Sequence, residues 1–254
     1  MTPLLANAMI SSRGRALQVS MCTLLAEDLD SLAAAFPDLV GLQELSLQYC
    51  WTPLGHAPAQ VASALSCLKS LTKLNLTQSA LGENICSSFV EAAVHLTSLK
   101  DLCMAHSQID SQSAVFTAQA LPKFASLSRL DLSHCNFHES TAKILFKGVQ
   151  NMRELSYLDL SHACLDASDG IGASVWPVVA KSISGLHSLR TVLLHGCDMA
   201  SRDTASVTAA LRGLSGLRRV DLRDNTLRER AARAVQEMRS HAGHASGSGC
   251  FVLT

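Results

Sequence analysis

The segment LSRLDLSHC (Leu127 to Cys135) decides the fold, because close copies of it recur along the chain. The copies are LQELSLQYC (Leu42 to Cys50), LTKLNLTQS (Leu71 to Ser79), LKDLCMAHS (Leu99 to Ser107), LSYLDLSHA (Leu155 to Ala163), LRTVLLHGC (Leu189 to Cys197), LRRVDLRDN (Leu217 to Asn225) and an eroded GRALQVSMC (Gly14 to Cys22). Their second apolar position falls at residues 17, 45, 74, 102, 130, 158, 192 and 220, so five of seven spacings are 28 residues. A fixed period of this length is the sequence signature of a repeat protein.

Each copy contains a strand pattern followed by a helix pattern. Leu130 and Leu132 alternate with polar residues, which predicts a strand with one buried face. Apolar residues at helical spacing follow, after start signals at Glu139 and Ser140. A strand, turn and helix in 28 residues cannot bury its own apolar face, whereas stacked copies can share one core. The period therefore predicts strands centred on the eight positions given above.

The pattern L-x-x-L-x-L-x-x-C/N-x-L resembles the leucine-rich repeats of the ribonuclease-inhibitor type, over about residues 4 to 254. The resemblance implies an α/β leucine-rich-repeat solenoid, a horseshoe with a concave parallel β-sheet, convex α-helices and about eight repeats. It also implies that a Cys or Asn after each strand bonds to backbone groups of the loop. The residues at that position are Cys22, Cys50, Ser79, Ser107, Cys135, Ala163, Cys197 and Asn225.

The repeats predict a single domain over residues 1–254, with a partial repeat at 1–13 and a C-terminal link and edge strand at 241–254. Pro3 to Ile10 is interpreted as the helical half of the partial repeat. Cys250 to Leu253 is predicted to form a strand beside the one centred on Val220. Since a terminal repeat exposes core and an unpaired edge, we expect another chain to cover one or both ends.

The 34-residue spacing between Leu158 and Val192 indicates about six extra residues, which we place in LDASDGIGAS (Leu165 to Ser174). This glycine- and serine-rich stretch reads as a bulged loop. It is either a recognition loop or a tolerated insertion. Trp176 and Pro177 are expected in the first turn of the next helix, where proline is tolerated.

The composition of the chain limits the kinds of partner that it is expected to bind. The chain has 254 residues, 21 basic and 21 acidic side chains, 48% hydrophobic residues and 4% aromatic residues. Zero net charge argues against a surface built for nucleic acid or anionic membrane, and no apolar run reaches the roughly 18 residues of a membrane span. Nine cysteines, an odd number, indicate reduced thiols and a cytoplasmic location. The first 26 residues contain Arg13 and Arg15 but no acid, so a mitochondrial presequence remains an alternative.

The sequence predicts no catalytic or metal-binding site, although one pattern of histidines and aspartates resembles such a site. Stacked strands would align His106, His134 and His162 in a column on the concave sheet, beside Asp131 and Asp159. These residues could be interpreted as a serine–histidine–aspartate triad or as a zinc site. However, LDLSH is ordinary surface sequence of such repeats. We therefore expect no catalytic residue, no metal and no cofactor. The column could instead make binding pH-sensitive.

Charge is unevenly distributed along the chain. Residues 16–66 contain five acids and no lysine or arginine, whereas residues 212–239 contain eight arginines against four acids. The arginines either solvate the last helix or form a basic patch that docks an acidic partner. Binding to nucleic acid is expected only through this arginine-rich end.

The sequence thus predicts a non-enzymatic interaction scaffold or adaptor for protein partners, within a larger complex and without a membrane. Ciliary, cytoskeletal and ribosomal assemblies are all compatible. The alternative is an enzyme regulator resembling Ran GTPase activators, which would need a loop arginine such as Arg202 and usually an acidic tail, whereas this chain ends in SGSGCFVLT. Ribonuclease inhibition is not expected, because it requires a strongly acidic surface. The predicted partner-binding residues are Glu44, Lys73, Asp101, Arg129, Asp131, His134, Tyr157, Asp159, His162, Arg219 and Arg223.

Overall fold

The computed structural model describes residues 8–10, 14–21, 23, 26–50, 64–78, 90–107, 109, 111–163, 175–225, 233 and 251–252. Within these residues, ten strands form a single sheet in which sequence order equals spatial order. The strands are β1 (Ala8–Ile10), β2 (Ala16–Val19), β3 (Glu44–Ser46), β4 (Lys73–Asn75), β5 (Asp101–Cys103), β6 (Arg129–Asp131), β7 (Tyr157–Asp159), β8 (Thr191–Leu193), β9 (Arg219–Asp221) and β10 (Phe251–Val252).

The register of the sheet confirms the 28-residue period. From β2 to β9 all pairs are parallel, and the eight predicted centres lie opposite one another, as in Leu102↔Leu130 and Leu130↔Leu158. The 34-residue spacing keeps this register, because Leu158 pairs directly with Val192. Each centre is buried, while the residues before and after it are more exposed in most strands. We call the side of the sheet that carries these flanking residues the open face.

Helices cover the opposite side of the sheet. The described helices are α1 (Ala26–Ala35), α2 (Ser111–Ala120), α3 (Glu139–Val149), α4 (Trp176–Ser184) and α5 (Ser201–Arg212). Short 3-10 turns extend α1 and α2 at Phe36–Asp38 and Leu121–Lys123. The predicted helix start at Glu139 is confirmed, and Trp176 and Pro177 open α4 as expected.

One continuous apolar cluster joins sheet and helices. The strand centres pack with large side chains such as Phe146 of α3 and Trp176 of α4, each at most 2% exposed. Since no single repeat could bury this surface alone, the core is shared along the stack. No helix among the described residues is both long and apolar enough to cross a membrane.

The two ends of the sheet differ from each other. Ala8–Ile10 forms a strand that runs antiparallel to β2, so the expectation of a helical half-repeat over Pro3 to Ile10 is wrong for these three residues. A strand here covers the edge of β2 with backbone hydrogen bonds. At the other end, β10 pairs with β9 in parallel, with Phe251 opposite Val220. The predicted insertion, Leu165 to Ser174, lies outside the described residues.

Candidate interaction surface on the open face of the sheet

Residues before and after each strand centre form two rows across the open face. The first row consists of Ala16, Glu44, Lys73, Asp101, Arg129, Tyr157, Thr191 and Arg219. The second row consists of Gln18, Ser46, Asn75, Cys103, Asp131, Asp159, Leu193 and Asp221. Neighbours within a row lie one strand spacing apart, about 4.8 Å, so their side chains can interact directly.

Charges of opposite sign alternate along the first row. Lys73 Nζ lies 2.8 Å from Glu44 Oε1, and Arg129 Nε lies 3.5 Å from Asp101 Oδ1. The hydrogen bond to Glu44 raises the pKa of Lys73. Burial raises the pKa of Asp101, although the charges of Arg129 and Lys73 oppose this. The row is therefore polar and largely self-neutralised, and both pairs are exposed enough to exchange partners at low cost.

Arg129 and Tyr157 form the centre of this surface. The Arg129 guanidinium lies 3.5 Å from the centroid of the Tyr157 ring, a cation–π contact. The Tyr157 hydroxyl donates a hydrogen bond of 3.0 Å to Asp159 Oδ2. Burial, together with the charge of Asp159, raises the pKa of Tyr157 to about 12, so the phenol keeps its proton. Arginine and tyrosine are the residue types that carry binding energy in protein interfaces.

The second row is held by the backbone of the same strands. Asp131 Oδ1 accepts the Ser133 N–H at 3.0 Å, and Asp159 Oδ1 accepts the Ser161 N–H at 2.9 Å. Both carboxylates thus cap the turn that follows their strand. This arrangement differs from that of a catalytic triad, in which the carboxylate orients a histidine.

A hollow of about 410 Å³ lies over the first five parallel strands of the open face. Glu44, Lys73, Asp101 and Arg129 line it from the first row, and Asp131 lines it from the second. The predicted residues Glu44, Lys73, Asp101, Arg129, Asp131, Tyr157 and Asp159 therefore share one continuous surface.

His134 and His162 align in the column that was predicted, although they follow the strands and do not belong to them. They occupy the turn beyond the strands, in a third row that we call the turn row. Its members are Met21, Tyr49, Gln78, His106, His134, His162, Gly196 and Asp224. Every one of them has a positive φ, between 50° and 61°. These side chains therefore belong to the turns that follow the strands.

Three histidines of the turn row form a stack. The ring centroids of His106 and His134 lie 4.2 Å apart with planes 6° apart, and those of His134 and His162 lie 4.6 Å apart with planes 18° apart. Parallel rings cannot share a metal ion at bonding distance, because each nitrogen lone pair lies in its own ring plane. Among the described residues, no group of three or more His, Cys, Asp or Glu side chains is arranged to hold a metal.

The Cys or Asn position acts as the resemblance implied. Cys135 Sγ donates to Met104 O at 3.2 Å, Cys197 Sγ donates to Leu160 O at 3.0 Å, and Asn225 Nδ2 donates to Leu194 O at 2.6 Å. Each bond joins one repeat to the repeat before it. Burial raises the pKa of Cys135 and of Cys197 to about 12, which makes these thiols structural rather than reactive. Ala163 fills the same position with a fully buried methyl group, and Cys22 and Ser79 lie outside the described residues.

Two arginines of the arginine-rich end, Arg219 and Arg223, were predicted to bind a partner, and the structure describes both. Arg219 lies in β9 and is exposed. Arg223 instead lies in the following turn, where its Nε and Nη2 donate to the Asp221 carboxylate at 2.9 Å and 2.6 Å. Burial acts to raise the pKa of Asp221, but the hydrogen bonds and charge of Arg223 outweigh it and the pKa is lowered. Arg223 is thus already paired with Asp221, although its side chain stays 42% exposed, and the arginine count of the sequence did not indicate this pairing.

Arg202 lies in α5 and not in a loop, so the structure lacks, at this position, the loop arginine that a GTPase activator would need.

Comparisons with known proteins agree with this geometry. The family model described as Leucine Rich Repeat matches residues 126–147. The solved structure of an internalin C2 from Listeria monocytogenes is similar to this chain, with a TM-score of 0.50, 17% identity, and coverage of 94% of this chain and 80% of that chain. A search of curated proteins gives no match. The parallel sheet, its helices and this similarity define the fold as an α/β leucine-rich-repeat solenoid.

Proposed function

We propose that the protein is a non-enzymatic scaffold that binds a protein partner on the open, concave face of its sheet. The observation that carries the proposal is the cluster of Arg129 and Tyr157 at the centre of that face, flanked by exchangeable ion pairs. Leucine-rich-repeat proteins generally act in protein–protein interaction, and the fold supports that role here.

The physical argument rests on rigidity. Arg129 and Tyr157 stand on strands whose register is fixed on both sides by backbone hydrogen bonds. Their contact also orders both side chains before a partner arrives, which lowers the entropic cost of binding. A partner that covers the hollow would place these two residues at the centre of the contact, where burial strengthens hydrogen bonds and charge pairs.

The finer features of the proposal follow from the sequence. The 28-residue period supports the ribonuclease-inhibitor subtype of repeat, and the odd number of cysteines supports reduced thiols and a cytoplasmic location. We also propose that the chain works as an adaptor within a larger assembly, in which a further subunit contacts one end of the sheet. Arg219, exposed on β9, extends the binding surface towards that end.

The test compares the open face with the remainder of the surface. Partners are captured on the full-length tagged chain, and their affinity is then measured for R129A/Y157A and for the control V40A/V94A. Val40 and Val94 are 64% and 51% exposed and lie outside the sheet. We expect the open-face variant to lose about tenfold or more in affinity, as hot-spot residues do, while the control binds like the wild type. Equal binding by wild type and R129A/Y157A would refute the proposal.

A further inference from the structure

The stacked histidines lie outside the binding surface described above, and neither the fold nor the proposed function requires them. His106, His134 and His162 come from equivalent turns of three successive repeats. His195 extends the stack to a fourth ring, whose centroid lies 4.6 Å from that of His162 with the planes 86° apart. All three turn-row rings are exposed, whereas His195 is half-buried.

The backbone holds the stacked rings in place. Each of the three residues has a φ between 54° and 56°. Their backbone N–H groups donate to the next repeat, from His106 to Ser133 O at 2.9 Å, from His134 to Ser161 O at 2.8 Å and from His162 to His195 O at 2.7 Å. Because the backbone is tied at each repeat, the rings can separate only by rotating about their own side-chain bonds.

Neutral and charged imidazoles behave oppositely in such a stack. Neutral rings attract at these distances, as aromatic pairs do. Two charged rings about 4 Å apart repel each other, and the repulsion is only partly screened by water. Protonation of neighbouring rings therefore opposes the stacked arrangement.

The groups around the ring of His134 both lower and raise its pKa. Burial lowers the pKa of His134, and the charges of His106 and His162 lower it further. The carboxylates of Asp159 and Asp131 oppose this effect without reversing it. Cys135, the next residue, stays neutral because burial raises its pKa to about 12.

The outer end of the stack carries one more carboxylate. His195 Nε2 lies 3.4 Å from Asp224 Oδ2, in the turn of the following repeat. His195 Nδ1 is buried and, among the described residues, has no hydrogen-bond partner. A protonated His195 would therefore have Asp224 as an anionic partner at this end of the stack. In the middle of the stack, the negative charges that act on His134 are those of Asp131 and Asp159.

We propose that His106, His134, His162 and His195 form a pH-sensitive switch, in which neutral rings stay in contact at neutral pH and protonated rings separate in acid. The switch changes both the charge and the shape of the rim that borders the open face. It is independent of the proposed function, because it requires only the stack itself.

The first test measures the titration of His134 by NMR in the full chain and in H106N/H162N. Asparagine tolerates the left-handed backbone that these positions require. We expect the pKa of His134 to lie below 6.5 in the wild type and to rise by about half a unit or more in the variant, because two like charges are removed. The matched control is H95N/H187N, which removes two exposed histidines outside the stack and should leave the titration unchanged.

The second test follows the stack itself. Nuclear Overhauser contacts between the rings of His134 and its neighbours should be present at pH 7.5 and lost at pH 5. Exchange of the His106, His134 and His162 amides, corrected for intrinsic rates, should stay unchanged over the same range, because the rings rotate while the backbone hydrogen bonds hold. The amides of Tyr49 and Gln78 are the internal control, since they make the same bonds in turns without histidine. An unchanged His134 titration in H106N/H162N, or ring contacts that persist at pH 5, would overturn the proposal.

Discussion

At the scale of single residues, the turn row imposes an unusual backbone requirement. Its members are in the left-handed region, which is unfavourable by about 1–2 kcal/mol for residues other than glycine. The conformation lets their N–H groups reach the next repeat, as from Tyr49 to Thr77 O at 2.9 Å. Gly196 is the one glycine in this row, and its missing side chain makes room for the ring of His162.

Gly196→Ala should destabilise the protein by about 1–2 kcal/mol and displace the His162 ring. A Cβ atom at residue 196 would lie 2.5 Å from His162 Nδ1, and alanine is strained at a φ of 61°. Chemical denaturation measures the loss. The control is Gly41→Ala, because a Cβ atom at Gly41 would meet nothing within 4 Å. Equal stability of the two variants would contradict the assignment of this turn.

The buried thiols of Cys135 and Cys197 should resist alkylation in the folded protein. With a pKa of about 12, only about one thiol in ten thousand is ionised at pH 8, and the thiolate is the reactive form. Cys67 is partly exposed and serves as the internal comparison. Mass spectrometry after brief treatment with iodoacetamide should find Cys67 modified and the other two unmodified. Rapid labelling of Cys135 in native protein would show that it is not buried.

At the scale of elements, close helix packing supports the sheet. Gly148 of α3 faces α2 so closely that a Cβ atom there would lie 2.4 Å from the backbone oxygen of Ala118. Such an approach leaves no space for a side chain, because both atoms belong to rigid helices. The spacing of α2 and α3 thus depends on a glycine in a position where helix propensity alone would favour alanine.

Gly148→Ala should therefore destabilise the protein by about 1–3 kcal/mol despite the better helix propensity of alanine. Gly185→Ala, at the end of α4, is the matched control, since nothing lies within 4 Å of the added atom. Its stability should change by no more than about 0.5 kcal/mol. Thermal unfolding distinguishes the two, and a stabilised G148A would mean that α2 and α3 are not packed this closely.

At the scale of the whole molecule, the repeat period was sufficient to predict the parallel sheet. All eight strand centres lie in the predicted register, because one buried leucine or valine per repeat must face the shared core. The period also aligned the histidines in one column, as their stacked rings confirm, but it did not show that this column lies in the turns after the strands. Polar residues continue past Asp131 into the turn, so alternation in the sequence does not show where the strand ends. The antiparallel strand β1 has no copy in the period and could not be predicted from it.

The arrangement of the open face was predicted only in part. The period aligned Glu44, Lys73, Asp101 and Arg129 in one row, and the structure confirms that alignment. The contact between Arg129 and Tyr157 depends on side-chain conformations that a spacing does not specify. For the same reason the sequence could not show that Asp221 already engages Arg223.

Leu158→Asp should abolish cooperative folding, because it places an unpaired charge at a fully buried strand centre. The destabilisation should exceed about 4 kcal/mol, a large share of the stability of a typical domain. Val94→Asp, at an exposed position, should fold like the wild type. Circular dichroism during thermal unfolding compares them, and a soluble, cooperatively folded L158D protein would contradict the register of β7.

The most direct measurement of the central claim is site-specific photo-cross-linking to the bound partner. A photoreactive phenylalanine analogue replaces Tyr157 on the open face in one variant and Val94, outside the sheet, in another. Because the analogue keeps an aromatic ring beside Arg129, we expect binding to survive the replacement. We predict a cross-link to the partner from position 157 and none from position 94. A cross-link from position 94 alone would show that the partner binds elsewhere and would contradict the account.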